Sequence, residues 1–102
     1  MVLLYVPCKD EAEASTIAQN LLDEKLIACA NIWPVSSMYV WEGALEKDSE
    51  YVLLAKTDKA YVDQAEHIIK DSHSYETPCI IRIDAQANSE CAMWMYSTLS
   101  KG

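Results

Sequence analysis

One hundred and two residues are enough for one domain built around a single two-layer core. Sixteen acidic residues against eight basic ones leave a formal charge of −8, which excludes the clustered Lys and Arg that nucleic-acid binding needs. The apolar fraction of 51% is dispersed and nothing approaches the ~20 apolar residues of a spanning helix, so no membrane insertion is expected.

In chain order, Val2 to Val6 is a short apolar run that fits a central strand. It lacks the basic flank of a signal peptide, so the expected setting is cytoplasmic. Asp10 supplies an N-cap acceptor with Glu13 three residues on, a capping-box arrangement. Ala14, Ile17, Ala18, Leu21 and Leu22 then form one apolar stripe of a first helix, and Lys25 near its end complements the helix dipole. Cys29 to Trp33 has strand character until Pro34 interrupts it, and Ser37 to Lys56 reads as two further β runs. Glu42-Gly43 closes the first of these, with Glu46-Lys47-Asp48-Ser49 as the solvated connection to the second. Thr57-Asp58 caps a second helix with Val62, Ala65 and Ile69 on its inner face, ending near Ser72. Cys79 to Ala85 reads as a fourth strand, with Pro78 just before it. Asn88 or Ser89 opens a last helix with Ala92, Met95, Tyr96 and Leu99 as its stripe.

The order is βαββαβ with a terminal helix. It describes an α+β, ferredoxin-like sandwich with an extended central hairpin, occupying residues 1–102 as a single domain. A strand from Ala28 to Glu42 spans roughly 45 Å, whereas a helix of about 15 residues covers only ~22 Å. The hairpin therefore bends or overhangs its own domain, carrying Tyr39 and Trp41 with it. The sheet face opposite the helices has no element assigned to it, and a large exposed apolar face marks an interaction surface. Both features predict an oligomer.

Cys8, Cys29, Cys79 and Cys91 contain no CxxC pair, so neither a zinc knuckle nor a thioredoxin motif is present. A copper chaperone on this topology needs two thiols in its first loop, and Pro7-Cys8-Lys9-Asp10-Glu11 has one. A phosphate cradle beside the first strand needs an Arg there, and Arg82, the only one, lies in the fourth strand. No Ser/His/Asp arrangement, paired-carboxylate motif or P-loop is recognisable, so a non-catalytic role is expected.

The run Lys25-Leu26-Ile27-Ala28-Cys29-Ala30-Asn31-Ile32, then Pro34 and Ser37-Met38-Tyr39-Val40-Trp41-Glu42-Gly43, resembles the signature of the CutA divalent-cation tolerance family. Leu54-Ala55-Lys56-Thr57 and His73-Ser74-Tyr75-Glu76-Thr77-Pro78 are similar to its other two landmarks. The resemblance implies a ferredoxin-like homotrimer, similar in assembly to the PII signalling proteins, linked to tolerance and binding of divalent ions such as copper. No cofactor is implied as required. Departures from the family pattern are Ser74 in place of the usual Pro, Ser72 where some relatives have a second His, Cys79 where Glu is common, and Cys91 where Tyr is common. A first-strand Cys proposed as a copper ligand in some relatives aligns with Val6, two residues before Cys8.

Imidazole and thiol suit Cu and Zn, and carboxylates suit harder cations. The candidate metal set is accordingly His73, Glu76 and Cys79, completed by Cys8 or by a neighbouring subunit. Tyr39, Trp41, Glu42, Lys56 and Tyr75 recur across the resemblance and form a candidate intersubunit cleft. Aromatic walls with a few charges make a reasonable small-molecule or ion pocket, and a PII-like effector or partner role is the alternative to metal tolerance.

Overall fold

A computed structural model describes residues 1–99. The elements are β1 (Val2–Cys8), α1 (Glu11–Asp23), β2 (Cys29–Trp41), β3 (Ala44–Thr57), α2 (Val62–Ser72), β4 (Ile81–Asp84) and α3 (Ser89–Thr98). The four strands form one antiparallel sheet in the order β2-β3-β1-β4. This is the mixed α+β, ferredoxin-like arrangement expected from the alternation of elements.

Strand alternation assigns the two faces. Leu4 lies opposite Ala55, and Val6 opposite Leu53; these four residues are buried with Ile17 and Leu21 of α1 and with Ala65 and Ile69 of α2. Burying each of the Leu, Ile and Val side chains contributes about 1.5–3 kcal/mol. The other face carries Leu3, Tyr5, Leu54, Ile81 and Ile83, and Ile81 and Ile83 are exposed. A one-residue register slip would exchange the two faces, so the helix-side core specifies the pairing. Arg82 points to the helix side, where its guanidinium meets Asp63 at 2.8 Å and Glu66 at 3.0 Å, tying β4 to α2.

The first helix begins as its sequence predicts: the Asp10 side chain accepts the Glu13 N–H at 2.8 Å. Its end is a Schellman motif. The Leu26 N–H donates to the Leu21 carbonyl and the Lys25 N–H to that of Leu22, with Lys25 in the left-handed region at φ 57. Lys25 is thus the reversal residue rather than a charge inside the last turn. Leu22, expected in the buried stripe, is 38% exposed because it falls at the stripe's margin.

The hairpin differs from the sequence reading in three places. Glu46–Ser49 is not a connection but part of β3, paired residue for residue with Tyr39 to Ser36. The reversal is made by Glu42 and Gly43 alone, both at positive φ (51 and 80), the signature of a two-residue turn matched to strand twist. Pro34 does not interrupt β2 but sits opposite Tyr51 within it, because β2 is an edge strand where a missing N–H costs no ladder bond. Strands of 13 and 14 residues carry the arm well past the helices, and the molecule measures 45 × 26 × 20 Å. Nothing lies within 4 Å of a Cβ built on Gly43, so Gly43→Ala meets only backbone strain. Denaturant melts are expected to show a loss of about 1 kcal/mol.

The remaining differences are at element ends. Thr57 closes β3 rather than capping α2, and its buried hydroxyl donates to the Leu26 carbonyl at 2.6 Å. The α2 helix starts at Val62 after a turn in which the Asp58 carbonyl accepts the Tyr61 and Val62 N–H groups. The fourth strand begins at Ile81, leaving Cys79 in the preceding turn. In α3, Met95 is buried, with Leu99 just beyond, against Ala28, while Tyr96 faces outward.

Candidate functional site

The loop after β1 and the turn after α2 meet at His73. Its side chain is 0% exposed, its Nε2 is 2.8 Å from the Pro7 carbonyl, and its Nδ1 accepts the Tyr75 N–H at 3.1 Å. An Nδ1 that accepts places the ring proton on Nε2, which donates to Pro7. Glu13, one turn into α1, completes the junction. Its Oε1 accepts the Lys9 N–H at 3.0 Å and its Oε2 the Ser74 N–H at 2.9 Å. The Lys9 bond is displaced by one residue from the capping box predicted there. Partial burial works to raise the Glu13 pKa, but hydrogen bonds from Ser74 and Lys9 and the nearby imidazole outweigh it and hold the carboxyl below its ordinary value.

Cys8 lies beneath this junction, fully buried, with its thiol 3.6 Å from the Val6 carbonyl. Burial, and then the negative charges of Glu13, Glu50 and Asp10, push that thiol up to about 12. The ligand atoms of Cys8, Glu13 and His73 all lie within 4.8 Å of one another. Thiol, imidazole and carboxylate together are a donor set suited to Zn or Cu. In the closed arrangement each of these atoms is held by an internal hydrogen bond, so the cluster is a latch between two loops as well as a candidate metal centre.

Tyr75 connects the latch to a second feature. Its ring is tilted against His73 at 4.6 Å between centroids, and its hydroxyl donates to Glu50 Oε2 at 2.8 Å. Beyond it opens a cleft of about 470 Å³ on the helix-free sheet face. Tyr39, Trp41 and Tyr75 provide aromatic walls, Glu46, Asp48 and Glu50 of β3 the floor, and Glu76 and Cys79 the lip. The Tyr39 hydroxyl donates to Asp48, and this bond to a carboxylate, ahead of any burial, pushes its phenol up to about 12. Burial followed by the Glu50 hydrogen bond raises Tyr75 in the same direction.

Of the predicted metal residues, the fold brings Cys8 and His73 together, whereas Glu76 and Cys79 line the cleft and are not part of that group. Of the predicted cleft residues, Tyr39, Trp41 and Tyr75 line it. Glu42 stands at the arm's tip in the reversal, and Lys56 lies opposite Leu3 and Cys29 at the other end of β3. Six residues along one strand put Lys56 about 20 Å from Glu50. Three acceptors were missed. Glu46, Asp48 and Glu50 recur at period two and continue into Val52 and Leu54, a strand signal that their polarity masked.

Fold and site define a small ferredoxin-like protein with a long β-arm, a buried thiol–imidazole–carboxylate junction and an acidic aromatic cleft. The family model described as CutA1 divalent ion tolerance protein matches residues 2–98, and the chain belongs to that family. The divalent-cation tolerance protein CutA of Pyrococcus horikoshii is 34% identical over 99% of this chain and 100% of its own. The crystal structure of CutA1 from that organism gives a TM-score of 0.94 at 33% identity, covering 99% of this chain and 100% of that one. A structure from Archaeoglobus fulgidus, described as a periplasmic divalent cation tolerance protein CutA, gives 0.93 at 34% identity, covering 98% and 100%. The chloroplastic CutA 1 of rice is 32% identical over 95% of this chain and 56% of its own length.

Proposed function

We propose that this chain serves divalent-cation tolerance by binding a divalent ion such as copper, as a non-catalytic homotrimer in the cytoplasm. The observation that carries the metal reading is the convergence of Cys8, Glu13 and His73 within 4.8 Å. Three donors of that type leave a coordination position open, and a bound soft or borderline ion would supply charge neutralisation there. His73 has to release one of its two backbone partners to ligate, and Cys8 has to give up its proton. Affinity is therefore expected to rise about tenfold per pH unit through neutrality, one thiol proton being released per ion. The bare sheet face and the arm's exposed Met38, Val40, Trp41 (58%) and Leu45 support assembly, while the number three rests on resemblance. No helix among the described residues is long and apolar enough to cross a membrane.

Calorimetric titration of metal-free protein with Cu²⁺ and Zn²⁺ tests this reading. One saturable site per chain is expected, lost in Cys8→Ser and Glu13→Gln and kept in Glu76→Gln and Cys79→Ser. Equal weak binding by all five proteins would leave only general attraction to an acidic surface and remove the proposal. A second reading has its own support in the cleft: a PII-like trimer whose cleft takes a small effector. A metabolite that raises the melting temperature saturably is its positive sign.

A further inference from the structure

His73 can reach an ion through either ring nitrogen, and the hydrogen bonds around the ring decide between them. A neutral imidazole ligates through the nitrogen that carries the lone pair, and its other nitrogen commonly donates to a backbone carbonyl. Here the lone pair is on Nδ1, which accepts the Tyr75 N–H at 3.1 Å, while Nε2–H donates to the Pro7 carbonyl at 2.8 Å. Nδ1 is also the ring nitrogen that lies 3.9 Å from Glu13 Oε1. Ligation through Nδ1 keeps the tautomer and the Pro7 bond and gives up one hydrogen bond. Ligation through Nε2 moves the proton to Nδ1 and gives up both, leaving the Pro7 carbonyl without a donor and two N–H groups facing each other. Nδ1 is the cheaper route, and along it the Tyr75 N–H is the ion's direct competitor.

What holds that N–H in place lies on another element. The Tyr75 ring is tilted against His73, and its hydroxyl donates to Glu50 Oε2 at 2.8 Å. Glu50 is the first buried residue of β3 after six exposed ones, so it marks the base of the arm. We infer that Tyr75 is a positioning residue that gates the latch: its N–H competes with an ion for His73 Nδ1, and its hydroxyl on Glu50 sets how strongly it competes. Occupancy of the latch and the Tyr75–Glu50 bond then oppose each other, and by linkage each weakens the other to the same degree. An ion at the latch therefore loosens the base of the β-arm. The inference rests on the metal reading above.

Titration of the full chain with Zn²⁺ tests it, followed by calorimetry, amide hydrogen exchange and nitrogen-15 NMR of the histidine rings. Saturating Zn²⁺ is expected to shift the Nδ1 resonance of His73, leave Nε2 protonated and strip exchange protection from the Tyr75 amide, while the amides of α1 keep theirs. Tyr75→Phe retains the ring against His73 and alters no charge near neutral pH, and it is expected to bind Zn²⁺ about fivefold more tightly than the parent. A Tyr75 amide still protected at saturation, or a shift of Nε2 in place of Nδ1, would overturn the inference while leaving the metal reading standing. Equal affinity in Tyr75→Phe and the parent would overturn the role given to Glu50. Absence of a saturable Zn²⁺ site in the parent would remove the metal reading and the gate with it.

Discussion

Replacing His73 by Ala is expected to lower folding stability by about 2–4 kcal/mol, the larger of the two single-site effects predicted for the latch. The imidazole is wholly buried and holds the Pro7 carbonyl on one side and the Tyr75 N–H on the other. Its removal leaves a cavity and two backbone groups without partners, and each buried unsatisfied group costs about 1–3 kcal/mol. His73→Gln keeps a donor and an acceptor on one flexible amide but not the rigid ring that serves both partners at once, so it should fall between. Urea unfolding at one fixed protein concentration measures this, since oligomer stability depends on concentration. An alanine variant within about 0.5 kcal/mol of the parent would show that the junction does not hold the two loops together.

The second large effect is alkaline. The native state keeps the Cys8 proton up to about 12, whereas the unfolded thiol loses it near its ordinary 9.0. Between those values the unfolded chain binds fewer protons than the native one, so stability falls as pH rises, by up to about 1.4 kcal/mol per pH unit. Below pH 9 the contribution is fully present. Tyr39 and Tyr75 are also raised from 10.0 and steepen the decline, but only above that value, so the interval from 9 to 10 reports Cys8. Thermal melts across it should drop for the parent and stay flat for Cys8→Ala. Glu13 acts with the opposite sign. Its folded carboxyl is lowered from 4.5, so its stabilisation is complete above that pH and is lost as the solution is acidified. Equal slopes for parent and Cys8→Ala between pH 9 and 10 would mean that the thiol ionises without opening the core.

The latch and the metal proposal make opposite demands on the same atoms. Hydrogen bonds hold Cys8, Glu13 and His73 in place without an ion, and ligation requires breaking some of them. A metal that binds there has to offset the cost of that release, which predicts weak binding near neutral pH and tighter binding above it. The cleft is a separate surface, joined to the latch through Tyr75 and Pro7, both of which line it and contact His73.

Local pattern was enough for the elements whose neighbours in sequence are their neighbours in space. The Asp10 cap, the Ile17–Leu21 stripe, the Val62–Ile69 face and the alternation of strands with helices all follow from periods of two and 3.6 residues. Those periods also fixed the α+β class and left one sheet face bare. Where polarity and position competed, local reading failed. Glu46 and Asp48 looked like part of a solvated connection because strands are commonly less charged, yet pairing with β2 carried the ladder through them. Only the tertiary structure decided which residues share a site. Glu13 joins Cys8 and His73 across a separation of about sixty residues, and the segment after α2 puts Glu76 and Cys79 in the cleft instead. Contacts of that range depend on how helices dock on a twisted sheet, which no local spacing encodes.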